Sequence, residues 1–279
     1  MTWRELEPAR LEREYNPRAY VGDPEPFFRE FARASEQTRA ELPHRLDIRY
    51  GPGPLETLDV FPAASASAPL HLFFHGGYWR SQDKRDYAFV ARRLVPAGVT
   101  VVIANYDLCP AVTVAQIEAQ ALRCVDFVRE HAAELGGDGG RLSVSGHSAG
   151  GQLAARVLAE AADAVTGFTL ISGVFDLEPL PGTSINEALS LTAAEATARS
   201  PQYWPLPPAA RAVRLVVGGA ESAEFRRQTF DYAGRLREAG WRPRVEEIPG
   251  ANHFTVLGAV FDDPDAGARL PGCAGPGER

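Results

Sequence analysis

Cysteine is scarce: three in 279 residues, Cys109, Cys124 and Cys273, with no CxxC pair among them. That argues against a zinc ribbon or a disulfide scaffold and suits a reducing compartment, so a cytoplasmic location is expected. No run of about 18 apolar residues exists, so no membrane-spanning helix is expected. The opening stretch MTWRELEPARLEREY carries both signs of charge and lacks the apolar core of a secretory signal. Basic stripes are missing too, and the formal net charge is −7, so nucleic acid is not an expected partner. What remains is a chain with 45% hydrophobic and 23% charged residues, ordinary for a globular protein and long enough for a sizeable core. A small-molecule substrate is the expected partner, without a membrane, and a homodimer is the one assembly left open.

The apolar patterning alternates strand with helix. LDIRYG and ETLDVF alternate in strand fashion around turn residues 51–54 and read as a hairpin. LHLFF, VTVVIAN, RLSVSG, TGFTLIS, RLVVGG and RPRVEEIPG are further strands, and the continuous apolar run of VTVVIAN fits a strand covered on both faces. Between them, KRDYAFVARRLVPAG, VAQIEAQALRCVDFVREHAAELG, GGQLAARVLAEA and AEFRRQTFDYAGRLREAG read as helices. Such alternation implies an α/β fold: a mostly parallel central sheet with helices on both faces and an antiparallel hairpin at one edge. Residues 46–263 are read as this domain. Residues 1–45 are a proline-broken helical segment packing on the core or a lid. Residues 174–210, with six prolines, are a cap insertion of the kind that covers sites, and 264–279, rich in Gly and Pro, are a disordered tail.

After the strand LSVS comes Gly146-His147-Ser148-Ala149-Gly150, and a helix follows at once. In this G-x-S-x-G setting the serine sits on a sharp turn with its hydroxyl exposed at the strand's carboxyl end, so Ser148 is the candidate nucleophile. As bare letters the motif arises by chance in about one chain of this length in ten; the strand before and the helix after are what give it weight. The competing reading is a helix N-cap serine. A serine that attacks a carbonyl needs donors for the oxyanion. The amide of Ala149 is one, and the loop His75-Gly76-Gly77 after LHLFF supplies bare peptide at Gly76 and Gly77. Tyr78 and Trp79 then form a wall beside the reacting carbonyl, unless they simply pack as core. Of six histidines, His253 in PGANHF follows the last strand, where the catalytic base belongs in the order Ser, acid, His. The acid is expected after RLVVGG. Glu221 is nearest the strand end, Glu224 already opens a helix, and Asp176 after the preceding strand is a rival. His71 and His75, four apart, find no third ligand for a metal.

These pieces resemble the α/β-hydrolase superfamily. HGGYW, NYDLCPAVT, GHSAGG, VGGAES and NHF are similar to the arylformamidase (kynurenine formamidase) group, relatives of the hormone-sensitive-lipase-like esterases, over residues 46–261. The resemblance implies hydrolysis of N-formyl-L-kynurenine to kynurenine and formate with no cofactor and no metal. It implies a triad of Ser148, Glu221 and His253, and an oxyanion hole of Gly76, Gly77 and Ala149. Glu in place of the superfamily's commoner Asp is a departure. Tyr78, Trp79 and Phe175 are the aromatics expected to meet an aryl ring, with Tyr203 and Trp204 read more readily as lid packing. A carboxylesterase for small acyl esters is the alternative activity, and a non-catalytic binding module on the same scaffold is the alternative of another class.

Overall fold

The structure, a computed structural model, describes residues 3–208 and 211–272. Among them eight strands form one sheet in the order β1-β2-β4-β3-β5-β6-β7-β8. They are β1 (Arg45–Arg49), β2 (Thr57–Phe61), β3 (Pro69–Phe74), β4 (Thr100–Ala104), β5 (Asp138–His147), β6 (Gly167–Ile171), β7 (Ala212–Gly218) and β8 (Arg244–Ile248). β1 and β2 pair antiparallel, β2 joins β4 antiparallel, and every pairing from β4 to β8 is parallel. The edge hairpin and the parallel body are as the strand patterning predicts.

The inner strands are buried on both faces, which explains their unbroken apolar runs. Along β3, Leu70, Leu72 and Phe74 enter one core, while Phe73 enters the other; alternate side chains leave a strand on opposite faces. Over one face lie α5 (Val114–Glu130), the short α6 (Ala132–Leu135), α7 (Ala149–Ala161) and α10 (Ala223–Glu238). Over the other lie α3 (Glu25–Glu41), α4 (Ala91–Leu94), α11 (Val256–Phe261) and α12 (Ala266–Arg269). A capping box starts α5: the Thr113 hydroxyl accepts from the Gln116 amide and Gln116 Oε1 accepts from the Thr113 amide. Ahead of the sheet stand α1 (Pro8–Tyr15) and α2 (Pro17–Val21), each begun by proline at its first position. The insertion carries α8 (Asn186–Leu189) and α9 (Ala193–Ala198).

Two expectations need correction. KRDYAFVARRLVPAG does not form one helix. Lys84–Val90 winds as a 3₁₀ segment and only Ala91–Leu94 is α-helical. Its start is held down by Asp83, which accepts from the Arg85 amide, and by Lys84, whose ammonium reaches Asp47 and buried Asp59. The stretch from residue 264 is not a loose tail as far as Gly272. Ala266, Gly267 and Leu270 are buried, and a side chain at Gly267 would meet Ala97 at 2.9 Å. The remainder of that expected tail lies outside the described residues.

Candidate active site

Ser148 joins β5 to α7 with φ 57° and ψ −117°, a left-handed backbone that non-glycine residues rarely adopt. Its surroundings explain the glycines on either side. A Cβ at Gly146 would stand 1.9 Å from the Gly150 carbonyl oxygen, and one at Gly150 would stand 2.1 Å from that of Phe74. The turn is locked by its own main chain: the Ser148 amide donates to Ile171, while its carbonyl accepts from Gly151, Gln152 and Val174. The strain is therefore held by backbone on three sides.

His253 sits in the loop after β8. Asn252 shapes that loop, its side-chain oxygen accepting from the amides of Phe254 and Thr255. The imidazole Nδ1 donates to Glu221 Oε2 at 2.7 Å. The other oxygen, Oε1, accepts from the Gly218 amide at 2.7 Å and from the Ser172 hydroxyl at 2.5 Å. Phe225 and His147 press on the ring, with centroids at 4.5 Å and 4.6 Å. Of the three carboxylates left open by sequence, Glu221 is thus the one bonded to His253. Asp176 pairs with Arg227 at 2.9 Å, and Glu224 takes Arg227 and the Tyr15 hydroxyl. Burial raises the Asp176 carboxyl, partly offset by Arg227.

The His75-Gly76-Gly77 loop packs against the serine turn. A Cβ at Gly76 would lie 3.2 Å from that of Ser148 and 3.0 Å from His147 Nδ1. Gly77 has φ 113°, and a Cβ there would strike the Ser81 carbonyl at 2.1 Å. Its glycine is demanded by the loop's own turn. The carbonyls here are turned inward: His75's accepts from the Tyr106 hydroxyl at 2.8 Å, and Gly76's from the His75 ring at 2.7 Å. In a trans peptide the N–H opposes the C=O, so the amides of Gly76 and Gly77 point away from Tyr106 and the His75 ring. Ala149, the first residue of α7, follows Ser148 directly.

Ser148, His253, His147, Gly77 and Tyr78 line one cavity of about 170 Å³. Its far wall comes from the N-terminal segment: Asn16, Pro17 and Arg18 of the α1–α2 corner and Phe28 of α3, with Arg80, Ser81, Gln82, Tyr87 and Phe254 completing it. The roof is tied down next to the acid. The Tyr78 hydroxyl donates to the Tyr15 carbonyl, the Ser222 hydroxyl to the Glu14 carbonyl at 2.6 Å, and the Tyr15 hydroxyl to Glu224 at 2.6 Å. Residues 174–208 contribute nothing to this lining. Where it meets the roof, the insertion instead braces it, with the Ser184 amide and hydroxyl both donating to Glu12.

Two of the three expected aromatics are not on the cavity. Two successive left-handed residues, Tyr78 and Trp79 (φ 50° and 54°), turn the Trp79 ring into the core, where it is fully buried. Phe175 is also fully buried, stacked on Tyr232 at 4.5 Å. Tyr78 stays on the wall, joined by Phe28, Tyr87 and Phe254, which sequence reasoning missed because they come from three separate segments. Trp204 is buried, its indole donating to the Ala198 carbonyl, and exposed Tyr203 donates to Glu178, so both serve the insertion. Ser172 and His147 were also missed. His147 Nε2 donates to the His253 carbonyl at 2.8 Å, and burial followed by the neighbouring His253 holds its pKa well below the ordinary value, so the ring stays neutral. His71 is spent on the Ser143 and Ser145 hydroxyls inside the sheet, its pKa lowered by burial to about 3. Among the described residues no group of three or more His, Cys, Asp or Glu is arranged to hold a metal.

A family model described as an alpha/beta hydrolase fold matches residues 71–257. A kynurenine formamidase from Danio rerio is 31% identical over 82% of this chain and 81% of its own. One from Salmo salar is 30% identical over 93% and 94%. Among solved structures, a candidate thioesterase from Silicibacter sp. superimposes with a TM-score of 0.81 at 29% identity, covering 91% of this chain and 95% of the other.

Proposed function

The chain belongs to the α/β-hydrolase fold family and is a hydrolase, and from that premise we propose that it is an arylformamidase working through Ser148, His253 and Glu221. The observation that carries this reading is the shared cavity: Ser148 and His253 line one space, and Glu221 fixes the imidazole from behind. With Nδ1–H committed to the carboxylate, Nε2 is left with the lone pair, the form a general base needs. His253 then takes the proton of Ser148 as the hydroxyl oxygen attacks the formyl carbon. The oxyanion rests on the amides of Ala149, Gly76 and Gly77. The imidazolium protonates the departing arylamine, and water activated by the same ring releases formate from the serine ester. Glu221 keeps its hydrogen bond to Nδ1–H and stabilises the imidazolium.

The kynurenine formamidase relatives support N-formylkynurenine as substrate, and Phe28, Tyr78, Tyr87 and Phe254 offer aromatic faces to its aryl ketone. The same machinery opens an ester, and 35% identity to Mycobacterium tuberculosis esterases over 39–42% of this chain supports a carboxylesterase as the second reading. No helix among the described residues is long and apolar enough to cross a membrane. Buried, unpaired Cys109 and Cys124 fit the reducing cytoplasm. The test is the ratio of kcat/KM for N-formylkynurenine to that for p-nitrophenyl acetate. A clear formamide preference is expected, and formamide turnover at the background rate would remove the reading.

A further inference from the structure

The wall of the Ser148 cavity includes two arginines and no acidic residue among the described residues. Arg18 comes from α2 and Arg80 from the loop after Trp79, so two distant stretches of chain deliver positive charge to one place. They are close in space. Arg18 Nη2 lies 3.4 Å from the hydroxyl of Ser81, the residue next to Arg80. Burial and then the field of Arg80 lower the Arg18 pKa. Neither arginine makes an ion pair within 4 Å among the described residues. Their hydrogen bonds are long ones, Arg18 to Ser81 and Arg80 Nη1 to the Ser184 carbonyl, both at 3.4 Å. The acids that feel them lie outside the cavity. Glu12 is occupied by Asn16 and Ser184, and Glu25 opens α3. Arg18 also lies over the Phe28 ring, 4.9 Å from its centroid, which orients it along the cavity wall.

Two like charges on the wall of one small space repel each other, and an anion between them relieves that repulsion. The placement stands out because the chain as a whole has net charge −7. A positive cleft in an acidic protein draws anions to the nucleophile and turns cations away. Guanidinium groups suit a carboxylate in particular, since their N–H forks match its two oxygens.

We propose that Arg18 and Arg80 form a carboxylate subsite, so that the hydrolase selects substrates carrying an acid group beyond the aryl ring next to the scissile acyl bond. For the arylformamidase reading, on which this rests, the group is the α-carboxylate of the amino-acid side chain. Engaging it sets the distance from ring to nucleophile and makes the site an amino-acid hydrolase rather than a general formanilide hydrolase.

The experiment compares N-formylkynurenine with its primary carboxamide, which keeps ring, ketone, amine and formyl group and loses only the negative charge. The wild-type enzyme is expected to favour the acid in kcat/KM by about tenfold or more, the preference shrinking as salt rises. Arg80→Gln and Arg18→Gln should each collapse that ratio by about tenfold, chiefly through KM, while Arg→Lys at either position keeps more of it. A ratio read within each variant is insensitive to how much of that variant folds. Absence of preference in the wild type, or a preference untouched in both Gln variants, overturns the proposal. Should the enzyme hydrolyse neither formamide, the arylformamidase reading fails. The subsite is then decided on 4-acetoxybenzoate against 4-acetoxybenzamide, which differ in the same charge: a Gln-sensitive preference for the acid supports it and equal rates overturn it.

Discussion

Glu221 gives His253 one carboxylate oxygen, at 2.7 Å from Nδ1, and keeps the other on the Gly218 amide and the Ser172 hydroxyl. Three groups, one each from β7 and the loops after β6 and β8, thereby converge on one carboxylate. Removing its charge should fail the imidazole at the moment it becomes an imidazolium. Glu221→Gln is expected to lower kcat by about 10³ to 10⁴ with little change in thermal unfolding, since its amide preserves part of the geometry. Asp176→Asn and Glu224→Gln, which lose only Arg227 and Tyr15 contacts, should keep their turnover while melting earlier. Steady-state kinetics beside thermal unfolding curves separate the two patterns.

Ser172 is absent from the cavity lining, and in the proposed mechanism it acts through Glu221. It occupies a left-handed backbone at φ 45°, and its hydroxyl fixes which way the Glu221 carboxylate faces. A hydrogen bond to a charged group contributes about 1.5 to 3 kcal/mol. Ser172→Ala should therefore cost roughly tenfold or more in kcat, leave KM nearly unchanged and shift the acid limb of the pH–rate profile. Ser172→Thr should recover part of the loss if the added methyl is accommodated. A variant whose KM rises while kcat holds would assign Ser172 to substrate binding instead.

Gly77 tests why glycine stands in the loop. A methyl there meets the Ser81 carbonyl at 2.1 Å on a φ of 113°, so the loop must shift to admit it. Gly77→Ala should destabilise the fold by about 1 to 3 kcal/mol, as a side chain forced into such backbone does. It should also reduce kcat by about 10² or more, the loss expected when the proposed oxyanion donor is displaced. Denaturant unfolding and kcat on the same sample check both.

His71 governs part of the acid stability. Buried and bonded to Ser143 and Ser145, it stays neutral down to about pH 3, whereas the unfolded chain takes up its proton near 6.5. Between those values the unfolded state holds the extra proton, so stability is full above the unfolded value and falls as pH drops toward the folded one. The slope per such histidine approaches about 1.4 kcal/mol per pH unit. His71→Gln, whose amide offers one donor and one acceptor to the same serines, should melt less steeply with falling pH between 6.5 and 4. Parallel slopes for variant and wild type would contradict the assignment.

The parallel sheet, the serine turn and the histidine loop were legible in the sequence because each leaves a local mark: apolar runs with alternating helices, glycines around Ser148, and an isolated histidine after the last strand. The cavity wall was not. Trp79 stands next to Tyr78 in sequence and its ring meets Tyr78's edge-on at 5.9 Å, yet only Tyr78 reaches the cavity wall, and nothing in the residue types foretells that. The roof was misplaced for a similar reason. Six prolines made 174–210 look like the cover, whereas residues 16–28 supply it, through long-range bonds such as Tyr15 to Glu224 that have no sequence signature. Likewise the helix expected over 84–98 is mostly 3₁₀, its start set by tertiary anchors at Asp59 and Asn105.

The central claim is that Ser148 is the acylated nucleophile, driven by His253. Incubation with a fluorophosphonate, followed by intact mass and peptide mapping, tests it most directly. One adduct per chain is predicted, on the peptide containing Ser148, lost in Ser148→Ala and slowed by orders of magnitude in His253→Ala. A wild-type enzyme that hydrolyses substrate while taking no label at Ser148, or that labels equally well without His253, would contradict the account.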